Sequence, residues 1–375
     1  VPSTPSGQIN VLIVDDSAVI RGLLSKMLSA DDRIHIAGSV GDGAQAVKAV
    51  TAGGVDVVLL DIEMPVMDGL TALPKILEAD KDVKVIMASS LTSRNAQISL
   101  QALETGAADY ITKPSSSREM TGGQQDFARE LVSKVTGIAE TSAKVKSRSG
   151  TASPRAAAAK TGPNLFSPDK EIKLVKRLGV APRPSILAVG SSTGGPQALM
   201  KFFTNLDSSI KVPIVVTQHM PPTFTTILAK NLNENSGFTA KEAEDGDTLE
   251  PGRIHVAPGD HHMEVVDERG VHKLRLNQNP QENFCRPAVD PMLRSVVKVF
   301  GSKVLVVILT GMGFDGQKGS IAVHEAGGNI LAQDEESSVV WGMPRAAAEA
   351  GVCSAVLSLD ELPAKVQSFV ARGAL

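Results

Sequence analysis

Short apolar runs alternate with helical patterns over the first 140 residues. The runs cover residues 9–14, 34–37, 55–60, 83–88 and 108–112. Between and after them, apolar positions recur at helical spacing over 18–28, 44–52, 70–78, 96–105 and 126–138. Five strand–helix units in this length predict a doubly wound parallel sheet, because parallel neighbours need a crossover, usually a helix. From residue 184 onward the theme repeats on a larger scale. Strands are expected over 186–189, 213–217, 253–257, 304–309, 329–332 and 352–355, with a helix over 197–203. A polar turn, Asp267-Glu-Arg-Gly270, lies between apolar runs at 263–266 and 272–276 and reads as a hairpin appended to the second sheet.

The pattern therefore divides the 375 residues into a domain at 8–140, a linker at 141–183 and a second domain at 184–375. Charge follows the same division. Residues 1–140 carry 12 basic and 18 acidic side chains, whereas residues 141–184 carry 10 basic and 2 acidic ones. That middle stretch is rich in Ser, Ala, Pro, Lys and Arg and has no sustained apolar period, so it reads as a solvated tether. Aromatic residues are only 3%, against 33 glycines, which suits helices packed closely on parallel sheets. Cys285 and Cys353 fit no disulfide framework or CxxC pattern and point to a reducing compartment. No run approaches 18 apolar residues, and the first seven residues have no basic or apolar character of an export signal, so a soluble protein is expected.

Ligands of open α/β sheets bind outside the carboxyl ends of the strands. In the first domain Asp15 and Asp16 end one strand and Asp61 ends another. Ser89 follows the next, and Lys113 follows the last, before Pro114. Three converging carboxylates would repel one another and need a cation, and hard oxygen ligands suit Mg2+. Asp61 is the natural nucleophile, since a carboxylate can form an acyl phosphate, and Lys113 and Ser89 are placed to hold the other phosphoryl oxygens. Singly, each strand-end aspartate is as well explained as a helix cap.

In the second domain Gly190-Ser-Ser-Thr-Gly-Gly195 joins an apolar run to a helical one, a G-x-S-x-G pattern with Ser192 at the turn. On this motif alone a helix-capping serine in a phosphate-binding loop leads. His219 ends the next strand, where it is placed to take a hydroxyl proton. Asp315 lies in Leu309-Thr-Gly-Met-Gly-Phe-Asp-Gly316 after a third strand. That segment is also a literal G-x-G-x-x-G through Gly311, Gly313 and Gly316, with Asp334 beyond it, so a dinucleotide site competes. A carboxylate facing a pyrophosphate, and a glycine loop this late in its domain, favour Asp315 as the aspartate of a serine–histidine–aspartate set. His255, His261 and His262 invite a zinc reading, which no cysteine or third clustered ligand supports.

Over roughly residues 8–130 the chain resembles response-regulator receiver domains. The resemblance rests on Val14-Asp-Asp-Ser17, Leu60-Asp-Ile-Glu-Met-Pro65 with Asp68-Gly69, Ala88-Ser-Ser90 and Tyr110-Ile-Thr-Lys-Pro114. Residues 184–375 resemble the chemotaxis protein-glutamate methylesterases, through Gly190–Gly195, Thr217-Gln-His-Met-Pro-Pro222, His255-Val-Ala-Pro-Gly-Asp260, Arg286-Pro-Ala-Val-Asp290, Leu309–Gly313 with Asp315-Gly316, and Trp341-Gly-Met-Pro344. Phe314 departs from that family's usual Asn and leaves the hydrogen bonding of its loop open. The implied fold is a flavodoxin-like receiver followed by a larger Rossmann-like esterase domain.

The resemblance implies phosphorylation of Asp61 by a sensor histidine kinase. Mg2+ would be held by Asp16, Asp61 and the backbone carbonyl of Glu63, with Asp15 alongside, and Ser89 and Tyr110 would be the switch pair. It implies Ser192 as nucleophile, His219 as base, Asp315 as its partner, and the Met312 amide with Thr193 nearby as the oxyanion site, with no cofactor for the ester reaction. The substrate would be methyl-esterified glutamates of chemoreceptors, with deamidation of certain glutamines by the same site. A cytoplasmic location at receptor clusters and inhibition of the esterase by its own receiver complete the implied picture. Since neutral His219 is required, activity is expected to fall below about pH 6.5. A DNA-binding regulator is the rival reading, but the second half is acidic and patterned as α/β, so no nucleic-acid partner is expected.

Overall fold

The computed structural model describes residues 7–90, 92–113, 124–148, 172–175 and 182–372. The chain separates into two compact units, Val1–Phe166 and Ser167–Leu375. Pro114, most of the segment read as a linker, and the two chain ends lie outside the described residues.

The first unit is built on β1 (Ile9–Val14), β2 (Ile34–Val40), β3 (Val57–Asp61), β4 (Lys84–Ser89) and β5 (Asp109–Thr112). They form one parallel sheet in the order β2-β1-β3-β4-β5. Residues 11–14 and 57–60 are wholly buried, as unbroken apolar strands covered by helices on both faces must be. The helices are α1 (Ala18–Leu28), α2 (Gly43–Thr51), α3 (Gly69–Ala79), α4 (Ser93–Thr105) and α5 (Gln124–Arg148). Ser17, Asp42, Asp68 and Thr92 cap the first four through side-chain oxygens that accept a backbone N–H of the first turn. Several boundaries differ from the sequence reading by a few residues, and two differences have a structural consequence. Strand β2 continues to Val40 because an edge strand buries one face only and pairs through its backbone, which an apolar run does not reveal. Helix α5 continues to Arg148, so the first residues of the expected linker are helical.

The second unit holds a seven-stranded parallel sheet. Its strands are β6 (Ile186–Ser191), β7 (Ile214–Gln218), β8 (Thr239–Glu242), β9 (Arg253–Val256), β12 (Val304–Ile308), β13 (Asn329–Gln333) and β14 (Ala355–Leu357). The order is β14-β13-β12-β6-β7-β9-β8. From β6 the chain winds one way through β7 and later returns to the other side at β12, so the winding reverses beside β6. The crevice at such a reversal is where doubly wound sheets bind ligands. The covering helices are α6 (Gly195–Asn205), α7 (Phe224–Asn235), α8 (Val289–Phe300), α9 (Gln317–Glu325), α10 (Met343–Glu349) and α11 (Leu362–Arg372).

Three strand expectations change. Strand β8 has no apolar run and buries only Ala240 fully, so it carries no periodic signal. Strand β14 begins at Ala355, because Val352 and Cys353 are buried by packing before pairing begins at Ser354, whose N–H bonds Ile330. The hairpin, β10 (His262–Glu268) and β11 (Val271–Asn277), is a separate two-stranded antiparallel sheet and not an extension of the large one. Its inner residues Met263, Val265 and Leu274 join the same core as α8, and the Val265 N–H bonds the Ser295 hydroxyl at 2.8 Å. The turn is tight because Arg269 and Gly270 both take positive φ, as a two-residue hairpin loop requires.

Candidate functional site

In the first unit the acidic residues meet as expected. One carboxylate oxygen from each of Asp15, Asp16 and Asp61 lies within 4.8 Å of the others. Lys113 Nζ bridges Asp15 and Asp61, 2.6 Å from each. Asp61 is nearly buried, and burial pushes its carboxyl above the usual range while Lys113 opposes that rise and Asp15 adds to it. Hard oxygen donors this close, with one cation already drawn in, fit a magnesium ion by the chemistry of the donor set.

The loop after Asp61 is closed by Gly69, whose N–H bonds the Ile62 carbonyl at 2.9 Å. A Cβ at Gly69 would overlap the Asp61 carbonyl, so only glycine lets α3 start there. Ser89 is buried, but its hydroxyl donates to the carbonyls of Ser90 (3.1 Å) and Asn95 (3.4 Å), not to the acidic group. Tyr110 is buried, which pushes its hydroxyl well above its ordinary pKa, and Lys134 lies 5.1 Å from its ring centroid. The Glu63 side chain is exposed on the loop.

In the second unit the three expected residues follow the carboxyl ends of adjacent strands: Ser192 after β6, His219 after β7 and Asp315 after β12. His219 Nε2 and Asp315 Oδ2 are 2.7 Å apart. Asp315 is buried yet fully engaged. Its Oδ2 also accepts from the Val289 N–H (2.6 Å), and its Oδ1 accepts from Asp290 N–H (3.1 Å), Gly316 N–H (3.0 Å) and Asn283 Nδ2 (2.8 Å). Burial raises its pKa, but His219 and these N–H groups outweigh it and hold the carboxyl below its usual value. Phe314 therefore leaves no gap, because Asp315 is met by His219, Asn283, the Gly316 N–H and the first amides of α8. The same contacts remove the dinucleotide reading, since Asp315 faces His219 and the amides of α8 rather than an open phosphate loop. The zinc reading falls too. His262 bonds the Pro280 carbonyl and the Ala288 N–H, and His261 faces the Gly259 carbonyl.

The expected serine–histidine hydrogen bond is not made among the described residues. His219 Nδ1 instead faces the Cys285 sulfur at 3.3 Å. Burial opposes charge on the ring, but Cys285 and Asp315 outweigh it and raise the His219 pKa to about 10. With the ring's pKa raised in this way, the acid limb of activity is expected to lie above pH 6.5.

Gln218 ties nucleophile and base together. Its Nε2 donates to the carbonyls of Ser192 (2.9 Å) and His219 (3.2 Å), and its Oε1 accepts from the Ser191 hydroxyl at 2.6 Å. Gly195 packs against that amide so closely that a Cβ would overlap Oε1. We expect Gly195→Ala to push the Gln218 amide aside, destabilising the fold by about 1–3 kcal/mol and lowering kcat at least tenfold. Melting curves and turnover on one preparation would check both, and unchanged turnover would remove Gln218 from the positioning scheme. Thr193 adjoins Ser192 in sequence, and Met312 comes two residues after Thr310, whose carbonyl accepts the Ser192 N–H at 3.0 Å. The Thr193 hydroxyl is buried without a hydrogen-bond partner, and the Met312 N–H has none among the described residues.

Sequence reasoning missed Gln218, Asn283, Cys285 and Asp290 as parts of this site. Asn283 and Cys285 arrive from the connection between β11 and α8, distant along the chain from the strands of the large sheet. The nearby Arg286–Asp290 motif was the available signal.

A family model described as CheB methylesterase matches residues 187–366, and one described as response regulator receiver domain matches residues 11–122. The chain is 50% identical to a protein-glutamate methylesterase/protein-glutamine glutaminase of Paramagnetospirillum magneticum, over 99% of this chain and 98% of the relative. It is equally 50% identical to a protein of that name from Azospirillum brasilense, covering 98% of this chain and 94% of the relative. The crystal structure of the Thermotoga maritima CheB methylesterase catalytic domain is 43% identical, covering 50% of this chain and 99% of that one with a TM-score of 0.49. The chain belongs to the receiver-linked protein-glutamate methylesterase/protein-glutamine glutaminase family.

Proposed function

We propose that this protein demethylates glutamate methyl esters on chemoreceptors, and deamidates certain glutamines there, under control of phosphorylation at Asp61. The observation that carries the ester chemistry is the 2.7 Å His219–Asp315 contact beside Ser192 at three adjacent strand ends. Ser192 Oγ attacks the ester carbonyl while His219 Nδ1 takes its proton, and Asp315 holds Nε2–H and steadies the imidazolium. The oxyanion of the tetrahedral intermediate is met by the Met312 N–H and the Thr193 hydroxyl, both without other partners among the described residues. Collapse expels methanol, which takes the proton from His219. Water then attacks the acyl-enzyme with His219 again as base, releasing glutamate and Ser192. A glutamine side chain follows the same course with ammonia as leaving group.

On the receiver, Asp61 accepts a phosphoryl group from a sensor histidine kinase. Asp15, Asp16, Asp61 and the Glu63 carbonyl would hold Mg2+, which when bound neutralises charge on the transferring group. Lys113 binds a phosphoryl oxygen, and Ser89 and Tyr110 rearrange in response. The unphosphorylated receiver restrains the esterase through the tether, and phosphorylation relieves it. No helix among the described residues is long and apolar enough to cross a membrane. The enzyme works in the cytoplasm, reaching receptors by recruitment to their clusters.

The test is methanol release from methylated receptor membranes, with and without acetyl phosphate and Mg2+. Stimulation is expected in the wild type and none in Asp61→Asn. A stimulated Asp61→Asn protein would remove Asp61 as the acceptor, and no methanol release at all would remove the esterase reading.

A further inference from the structure

The resting geometry leaves the serine without its base. Asp315 takes His219 Nε2, so Nδ1 is the one ring nitrogen that can accept a proton from Ser192. That nitrogen already faces a partner, Cys285 Sγ, at 3.3 Å. We propose that Cys285 is a positioning residue that latches His219, occupying Nδ1 at rest and yielding it when Ser192 is to be deprotonated. This rests on the esterase reading of Ser192, His219 and Asp315.

The sulfur does not reach Nδ1 by chance rotation of an exposed side chain. Residues 282–285 form a turn closed by two backbone hydrogen bonds, Glu282 N–H to Cys285 O (3.1 Å) and Cys285 N–H to Glu282 O (2.9 Å). Its central residues, Asn283 and Phe284, both take left-handed backbone, φ 53° and 64°. For a phenylalanine this conformation costs about 1–2 kcal/mol, so the surroundings must impose it. They do so at both ends: Glu282 is ion-paired with Arg294 of α8, and Arg286, next in sequence, is clamped to Asp260. From this one turn, Asn283 Nδ2 donates to Asp315 Oδ1 at 2.8 Å and to Asp290 Oδ2 at 3.1 Å, while Cys285 meets Nδ1. The turn thus grips both members of the histidine–aspartate pair.

The ionisable groups facing the pair come from three elements. Asp315 follows β12, Cys285 lies on the turn, and Asp290 opens α8 behind Asp315, its own pKa raised to about 6 by burial and by Asp315. Cys285 and Asp315 are the groups that raise the histidine's pKa against the effect of burial. With the sulfur gone, burial and Asp315 alone remain, and the balance moves toward the neutral ring.

The test is an NMR titration of 15N-labelled His219 in the full chain, run beside the pH profile of kcat for methanol release. In Cys285→Ala the midpoint for His219 is expected to fall by at least one pH unit. The acid limb of kcat is expected to move down equally, raising turnover near pH 7 about tenfold or more with KM unchanged. Cys285→Ser, which puts a hydroxyl in place of the sulfur, should lower the midpoint in the same direction, and it serves if the alanine variant melts early. A midpoint and acid limb identical to wild type in a folded variant would overturn the latch. Methanol release persisting in Ser192→Ala would instead refute Ser192 as the nucleophile, while the histidine titration would still decide whether Cys285 holds Nδ1.

Discussion

Ser192→Ala is expected to lose methanol release by at least 10³-fold and on the order of 10⁶-fold if background hydrolysis is low, the scale seen when a catalytic serine is removed. Its stability should hardly change. The Ser192 side chain is only partly buried and its hydroxyl makes no hydrogen bond among the described residues, so its loss should stay within about 0.5 kcal/mol. The adjacent Ser191 is the control. It is fully buried, and its hydroxyl donates to Gln218 Oε1 at 2.6 Å. Ser191→Ala should therefore cost about 1–2 kcal/mol of stability while still producing methanol. Methanol release with melting curves on both variants separates the roles. The opposite pattern would make Ser191 the nucleophile.

Asp315→Asn is expected to damage both chemistry and fold. The carboxylate accepts from His219 and from four further N–H groups, and neither oxygen is spare. An amide in its place must turn its NH2 toward donors on one side or the other. Turned toward Oδ2, it opposes Val289 N–H and His219. Turned toward Oδ1, it opposes Asp290 N–H, Gly316 N–H and the Asn283 amide. One buried donor clash of this kind costs about 1–3 kcal/mol. The histidine also loses the group that fixes its tautomer, so kcat should fall about 10³- to 10⁴-fold. The pH dependence of stability should change with it. Because the folded carboxyl's pKa lies below its ordinary value, its bonding stabilises the wild type above about pH 4 and that stabilisation fades as acid protonates the group. The variant cannot show that loss. Calorimetry from pH 3 to 7 beside turnover would check both, and a variant with wild-type kcat would exclude Asp315 from the mechanism.

Much of this was legible from residues alone. Unbroken apolar runs such as 57–60 and 304–308 announce strands buried on both faces, and strand-end Asp15, Asp61, His219 and Asp315 announce where ligands meet. What escaped were features stabilised by pairing or packing rather than by pattern. Strand β8 lacks an apolar run, and β14 starts only after Val352 and Cys353 have been buried by packing. Gln218 was quoted within a motif, but its amide matters only because β6 and β7 lie side by side.

Residue order and type were thus enough to settle the two α/β domains and to nominate the groups that carry charge and protons, because strand burial and strand-end placement are periodic, local properties. The partner of each nitrogen on His219 was not readable in that way. Cys285 stands 66 positions from His219 and Asp315 stands 96. Which of them reaches which nitrogen depends on the winding reversal beside β6 and on a left-handed turn held by Arg294 and Asp260. Long-range packing sets those contacts, and no spacing along the chain encodes them.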